Sequence, residues 1–200
     1  MSTELLLIRH GQTDWNLTHR IQGSVDIPLN AIGVAQAEAT REALQHHNID
    51  AIYASHLERA VFTADTINIP HGVTRSIDSR LAERAHGHYE GWTVQEIIAE
   101  VGEEHADEFF QHSPALEAWS DVSTRVLAAL QDIATAQRGG RVVVVAHGGS
   151  IRAAVAAMQS VHQRSIRGLT NCSITRLQFD DDWTVIDYNN NQHLPEDLRT

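Results

Sequence analysis

Two apolar runs that each end in His-Gly constrain this chain more than any other feature. Leu5-Leu6-Leu7-Ile8 leads into Arg9-His10-Gly11, and Val142-Val143-Val144-Val145-Ala146 leads into His147-Gly148-Gly149. Short apolar runs bounded by polar residues read as strands buried on both faces, the pattern of parallel sheets. Open α/β sheets bind ligands at the carboxyl ends of their strands. Both histidines therefore fall where a ligand would sit, and two such ends can face each other. An arginine beside a histidine offers a fork for phosphate and a ring nitrogen that is a nucleophile once its proton is off. The pattern points to phosphoryl transfer with His10 attacking.

The rest of the chain alternates strands with helices. Asn30 caps a predicted helix to about His47, with Ile32, Ala35, Ala39, Ala43 and Leu44 as its apolar face. Ala51-Ile52-Tyr53-Ala54 reads as a strand, followed by a helix from Leu57 to Ile67 that carries Arg59 in its first turn. A short strand is expected around Val73-Thr74, and 81–92 reads as loop. One or two helices fill 93–112, interrupted at Gly102 and ended by Ser113-Pro114. A longer helix runs to Gln137, before Gly139-Gly140. Strand 141–146, a helix from Gly149 to Gln159, and closing strands 173–179 and 183–188 complete the chain. The alternation predicts an α/β fold, a single-domain three-layer α/β/α sandwich over 1–200 with a mainly parallel central sheet. Segment 85–120 is expected to lie over the site as a lid.

Composition narrows the chemistry. The formal charge of −11 opposes attraction to nucleic acid or an anionic membrane surface. All 15 basic residues are arginine, so Schiff-base lysines and the lysine of a nucleotide-binding loop are excluded. The 13 histidines are scattered and show no metal-ligand spacing, so no metal and no cofactor is expected. No apolar run approaches the roughly 18 residues of a membrane span, and no leader pattern opens the chain. One cysteine, Cys172, makes no internal bridge, which suits a reducing compartment; the expectation is a cytoplasmic protein. A homodimer is left open, since strands 173–188 would offer an edge.

Taken together, Leu-Ile-Arg-His-Gly-Gln-Thr-Asp-Trp-Asn at 7–16, Ser55-His56-Leu57-Glu58-Arg59-Ala60, Leu81-Ala82-Glu83 with Gly87 and Gly91, and Ala146-His147-Gly148-Gly149 resemble the histidine phosphatase superfamily in its phosphoglycerate-mutase-like branch. The resemblance implies His10 as the residue that becomes phosphohistidine, with Arg9, Arg59 and His147 around the phosphoryl oxygens. Arginine holds phosphate through two parallel hydrogen bonds at any working pH, and phosphate charge would favour a protonated His147 as a further donor. Asn16, Gln22, Gly23 and Gly148 are further substrate contacts by position. Glu83 is the candidate general acid and base, a carboxyl that protonates the departing alkoxide. Arg152, in the helix after His147, reads as structural.

The branch holds phosphomonoesterases and bisphosphate-primed mutases. Mutases of the family show Glu-Arg-His-Tyr-Gly and then a lysine, whereas this chain has Glu83-Arg84-Ala85-His86-Gly87 and Val94. Between Arg84 and Arg125 no arginine or lysine occurs, and Glu96, Glu100, Glu103, Glu104, Asp107, Glu108 and Glu117 would repel a second anion if they faced the site. Arg20 and Arg84 are left as the arginines near enough to read a leaving-group anion. The expectation is a metal-independent phosphatase acting on a small phosphorylated metabolite. The alternatives are a phosphoglycerate mutase and a phosphate-binding regulatory protein without turnover.

Overall fold

The structure, a computed structural model, describes residues 1–199. Its strands are β1 (Thr3–Arg9), β2 (Ala51–Ala54), β3 (Arg75–Ile77), β4 (Arg141–Ala146), β5 (Ile174–Phe179) and β6 (Trp183–Asn190). Its helices are α1 (Asp14–Leu17), α2 (Ala31–Leu44), α3 (Glu58–Asn68), α4 (Val94–Val101), α5 (Glu103–His112), α6 (Trp119–Ala136) and α7 (Gly148–Met158). The sheet runs β3-β2-β4-β1-β5-β6. The first four strands in that order are parallel, and β5 and β6 add on antiparallel.

The two apolar runs lie side by side in the middle of the sheet. Their side chains alternate between its faces, as the period of two requires. Leu5, Leu7, Val142 and Val144 pack with α6 and α7 residues such as Val126, Leu130 and Ile151. Leu6, Ile8, Val143 and Val145 pack on the other face with Leu44, Ala60, Ala64 and Ile67 of α2 and α3. Each side chain buried this way contributes about 1.5–3 kcal/mol, so two covered faces hold the central strands rigid. This is the three-layer arrangement the strand and helix alternation predicts.

The buried side of α2 differs from its apolar periodicity. Ile32 and Ala43 are exposed, while Gly33, Gln36, Ala37, Thr40 and Leu44 face inward. Gln36 reaches the loop after β1, its Oε1 accepting from the Gln12 N–H at 2.8 Å, and its Nε2 donates to the Leu198 carbonyl at 2.8 Å. A buried amide with partners on both ends is stable in a core, and an apolar count misses it. The third strand sits at 75–77 rather than around 73–74. Polar segment 11–30 contains α1, closed by a capping box between Thr13 and Asn16.

Candidate active site

The register Arg9↔Ala146 brings β1 and β4 to their ends together, so His10 and His147 are the next residues on adjacent parallel strands. Their ring centroids are 5.1 Å apart, close to the spacing between neighbouring strands. His10 is 2 % exposed and His147 fully buried. The His10 Nδ1 lies 2.7 Å from the Gly11 carbonyl oxygen. A carbonyl can only accept, so Nδ1 carries the proton and Nε2 keeps a free lone pair. Burial, then Arg59 and Arg9, hold the His10 pKa well below the ordinary histidine value. The ring is thus neutral, the form a nucleophile needs.

His147 is pushed the same way, by burial first and then by Arg59, His10 and Arg9. The expected positive donor is therefore a neutral ring in the free protein, because cations surround it where phosphate charge would favour protonation. Neither of its ring nitrogens has a partner among the described residues.

Arg59 gets its position from the turn that starts α3. The helix opens at Glu58, whose N–H donates to Asp26 Oδ1 at 2.7 Å. The fully buried Arg59 guanidinium then donates to the carbonyls of Gly23 and Val25 at 2.8 and 2.7 Å, leaving Nε unpartnered. Arg9 donates to the Leu169 carbonyl and likewise keeps a buried Nε without a partner. A Cβ on Gly148 would stand 3.4 Å from that Nε, so the first residue of α7 packs against Arg9. Asn16 has its side-chain oxygen occupied by Thr13 N–H at 3.1 Å and Asn171 Nδ2 at 3.2 Å, which leaves its amide N–H groups as donors. Gln22 is buried with its Oε1 unpartnered.

Glu83 is anchored to the amino end of α7. Its Oε1 accepts from the N–H groups of Arg84 at 2.8 Å and Ser150 at 3.1 Å, and its Oε2 from Gly149 at 3.0 Å. A helix amino terminus has unpaired N–H groups and a positive end, and Glu83 supplies the anion. Of about four lone-pair positions on a carboxylate, three are used and one is left for a proton. A Cβ on residue 149 would come within 2.3 Å of Glu83 Oε1. Position 149 therefore takes no side chain without displacing Glu83, a constraint absent from the residues expected by sequence. A second glycine inside the first turn of a helix, unfavourable by about 1 kcal/mol relative to alanine, is the signal that pointed to it.

Arg9, His10, Asn16, Gln22, Gly23, Arg59 and Glu83 line one cavity of about 390 Å³, a size that fits a small ligand. His147 lies against it through its contact with His10. From segment 85–120, His86, Val94, Phe110, Gln111 and Trp119 form part of its wall. The acidic residues of this segment are not among those that line the cavity, so the condition for their repulsion is not met. Glu83 is the carboxylate among the lining residues, whereas Glu96 pairs with Arg20 and Asp107 with Arg164 on the exposed surface, and Glu117 with Arg125. The arginines near the site are not limited to Arg20 and Arg84, since Arg152 and Arg164 line the cavity as well. Helical geometry turns Arg152 towards the site, and Arg164 comes from the segment after α7. Among the described residues no cluster of three His, Cys, Asp or Glu is placed to hold a metal ion.

A neutral histidine flanked by two arginines, a second histidine and a carboxyl at a helix end makes a pocket suited to a phosphoryl group. Comparison with known proteins agrees: the model of the histidine phosphatase superfamily (branch 1) matches residues 5–192, and the chain belongs to that family. It is 34% identical over 196 residues to the uncharacterized phosphatase PhoE of Bacillus subtilis (strain 168), covering 96% of this chain and 97% of the relative. It is 32% identical over 210 residues to a metal-independent phosphoserine phosphatase of Arabidopsis thaliana, covering 96% and 83%. Among solved structures, YhfR of Bacillus stearothermophilus superposes with a TM-score of 0.89 at 30% identity, covering 96% and 98%. Proteins named probable phosphoglycerate mutase are similar to the chain as well.

Proposed function

We propose that the protein is a metal-independent phosphomonoesterase that hydrolyses a small phosphorylated metabolite through phosphohistidine on His10. The observation that carries this reading is the neutral His10 with Nε2 bare, set between Arg9 and Arg59 in a cavity whose carboxyl group is Glu83. In the first step Nε2 attacks phosphorus while Glu83, carrying a proton, gives it to the leaving oxygen. Arg9, Arg59 and His147 stabilise the charge that spreads over the phosphoryl oxygens, with Asn16, the Gln22-Gly23 backbone and Gly148 as further contacts. In the second step Glu83, now a carboxylate, takes a proton from the water that attacks phosphohistidine. The products are the alcohol and inorganic phosphate, and the histidine is regenerated.

A phosphoglycerate mutase is the second reading, and the arginines in the outer cavity favour it, since a mutase must retain a doubly phosphorylated intermediate. Phosphate release from a panel of phosphomonoesters, run beside interconversion of 3- and 2-phosphoglycerate, separates the two. The proposal requires phosphate release to far outrun isomerisation without a priming bisphosphate. Fast isomerisation that depends on bisphosphate overturns it.

A further inference from the structure

Beyond the residues proposed to bind the phosphoryl group, the cavity holds a group of buried N–H donors without acceptors among the described residues. Arg84, 2 % exposed, donates Nε to the Glu117 carbonyl at 2.7 Å and Nη1 to the Phe110 carbonyl at 3.0 Å, while its buried Nη2 has no partner. Trp119, the first residue of α6, has a buried Nε1 with no partner, and the Arg84 guanidinium carbon lies 4.2 Å from the centre of its ring. The Arg152 guanidinium carbon lies 4.9 Å from the same ring, and its buried Nε is unpartnered too. Of the arginines lining the cavity, Arg152 alone makes no side-chain hydrogen bond and no ion pair among the described residues. The carboxylates nearest these two cations already have hydrogen-bond partners among the described residues. Glu117 is engaged by Arg125, and both Glu83 oxygens already accept backbone N–H groups.

Unpaired buried donors and charges are unfavourable and are found where a ligand supplies the missing acceptor. Burial first, and then Arg152 nearby, lowers the Arg84 pKa to about 10 against the opposing pull of Glu117 and Glu83. The side from which the anion comes follows from Glu83. The residue that serves the leaving oxygen has Arg84 as its chain neighbour, and Arg152 follows its seat at Gly149 by about one helical turn. The donors therefore face the alcohol part of the ester.

We infer that Arg84 Nη2, Trp119 Nε1 and Arg152 Nε form a carboxylate-reading subsite for the leaving group, so that the favoured substrates are phosphate esters of small hydroxy acids. The inference rests on the phosphatase reading for its direction, though the binding it describes does not need turnover. Three N–H groups match the two oxygens of one carboxylate, whereas a second phosphate has three oxygens and a larger charge to satisfy.

The test compares 3-phosphoglycerate with glycerol 1-phosphate, which differ by carboxylate against hydroxymethyl, and propane-1,3-diyl bisphosphate as the second-phosphate arm. Dissociation constants are measured by calorimetry on His10→Ala, and kcat/KM on the wild type. Loss of hydrogen bonds to a charged group predicts about 10- to 100-fold tighter binding of 3-phosphoglycerate than of glycerol 1-phosphate. Arg152→Met in the His10→Ala background should collapse that ratio towards unity. Trp119→Phe, which keeps the ring but removes the donor, should lower it several-fold, and Arg152→Lys should restore part of it. Equal affinities for the two esters, or a ratio unmoved by both substitutions, overturn the subsite. Tighter binding of the bisphosphate than of 3-phosphoglycerate moves the anion to a second phosphate and overturns the carboxylate assignment. If the wild type releases phosphate from neither ester while the binding preference persists, the phosphatase reading fails and the subsite stands.

Discussion

Substitution of Gly149 by alanine isolates the placement of the Glu83 carboxyl from the other functions of α7. The new methyl group would stand 2.3 Å from Glu83 Oε1 and 3.2 Å from its Cδ. Reaching an ordinary contact distance moves the carboxyl by about 1 Å. That withdrawal breaks its bonds to the Gly149 and Ser150 N–H groups at 3.0 and 3.1 Å. Displacement of a reacting group by about 1 Å can lower a rate about 10²-fold, within the 10²–10⁴-fold that general acid catalysis supplies in total. The expected result is a loss of about 10²-fold for alkyl phosphates, whose alkoxides need the proton, and under about 10-fold for phosphoenzyme formation from p-nitrophenyl phosphate. Stability should fall only modestly, since the helix propensity of alanine offsets part of the loss of those two bonds. The φ of Gly149 lies outside the left-handed region, and alanine in a helix is favoured by up to about 1 kcal/mol. Rapid-quench measurement of phosphoenzyme formation with both esters, beside thermal melts, provides the assay. Combining Gly149→Ala with Glu83→Gln should add little further loss, since both remove the same function. Equal losses for alkyl and aryl esters, or full activity towards alkyl esters, would refute the argument that Gly149 seats the acid.

Three further outcomes are expected. His10→Ala should abolish turnover and the acid-labile phosphoenzyme for every ester; phosphohistidine trapped in that variant would place the nucleophile elsewhere. Hydrolysis should survive excess chelator, because Arg9, Arg59 and His147 provide the positive charge, and loss with chelator followed by return with Mg²⁺ or Zn²⁺ would contradict this. His10 and His147 have pKa values depressed well below 6.5 in the folded state, so the unfolded chain binds more protons below that pH. Their contribution to stability is complete above about pH 6.5 and is lost on acidification by about 1.4 kcal/mol per pH unit for each, until the folded values are reached. Denaturant unfolding of wild type and His147→Gln from pH 7.5 to 5 checks the sign; an identical pH slope in both removes His147 from the account.

Much of the fold could be read from local signals. Ala51–Ala54 and Arg141–Ala146 form strands at the residues expected, and the break at Gly102 separates α4 from α5 with a φ of +89 that glycine adopts without strain. The buried side of α2 could not be read, because Gln36 and Thr40 are inside by virtue of hydrogen bonds to distant chain, which no periodicity of apolar residues records. His10 and His147 were legible because they repeat a strand-end motif, whereas Glu83, Asn16, Gln22 and Gly23 were expected from the family resemblance. Trp119 and Arg152 were not legible, since 33 positions along the chain separate them and only the packing of α6 on α7 within one layer brings them together. The acidic run after Arg84 misled for the same reason: charge counted along a chain says nothing about which way helices turn it.

The parallel register of β1 and β4 acts as a ruler. The separation of His10 from His147 is set by backbone hydrogen bonding between the two strands, so it is a repeat distance of the sheet rather than a product of side-chain packing. A one-residue insertion in either strand would slide one imidazole by about 3.3 Å and turn it to the opposite face. The cavity wall, in contrast, is built from loops and helix ends that change without touching that register. A lineage can therefore rewrite which alcohol the enzyme accepts while the two histidines stay on the same grid.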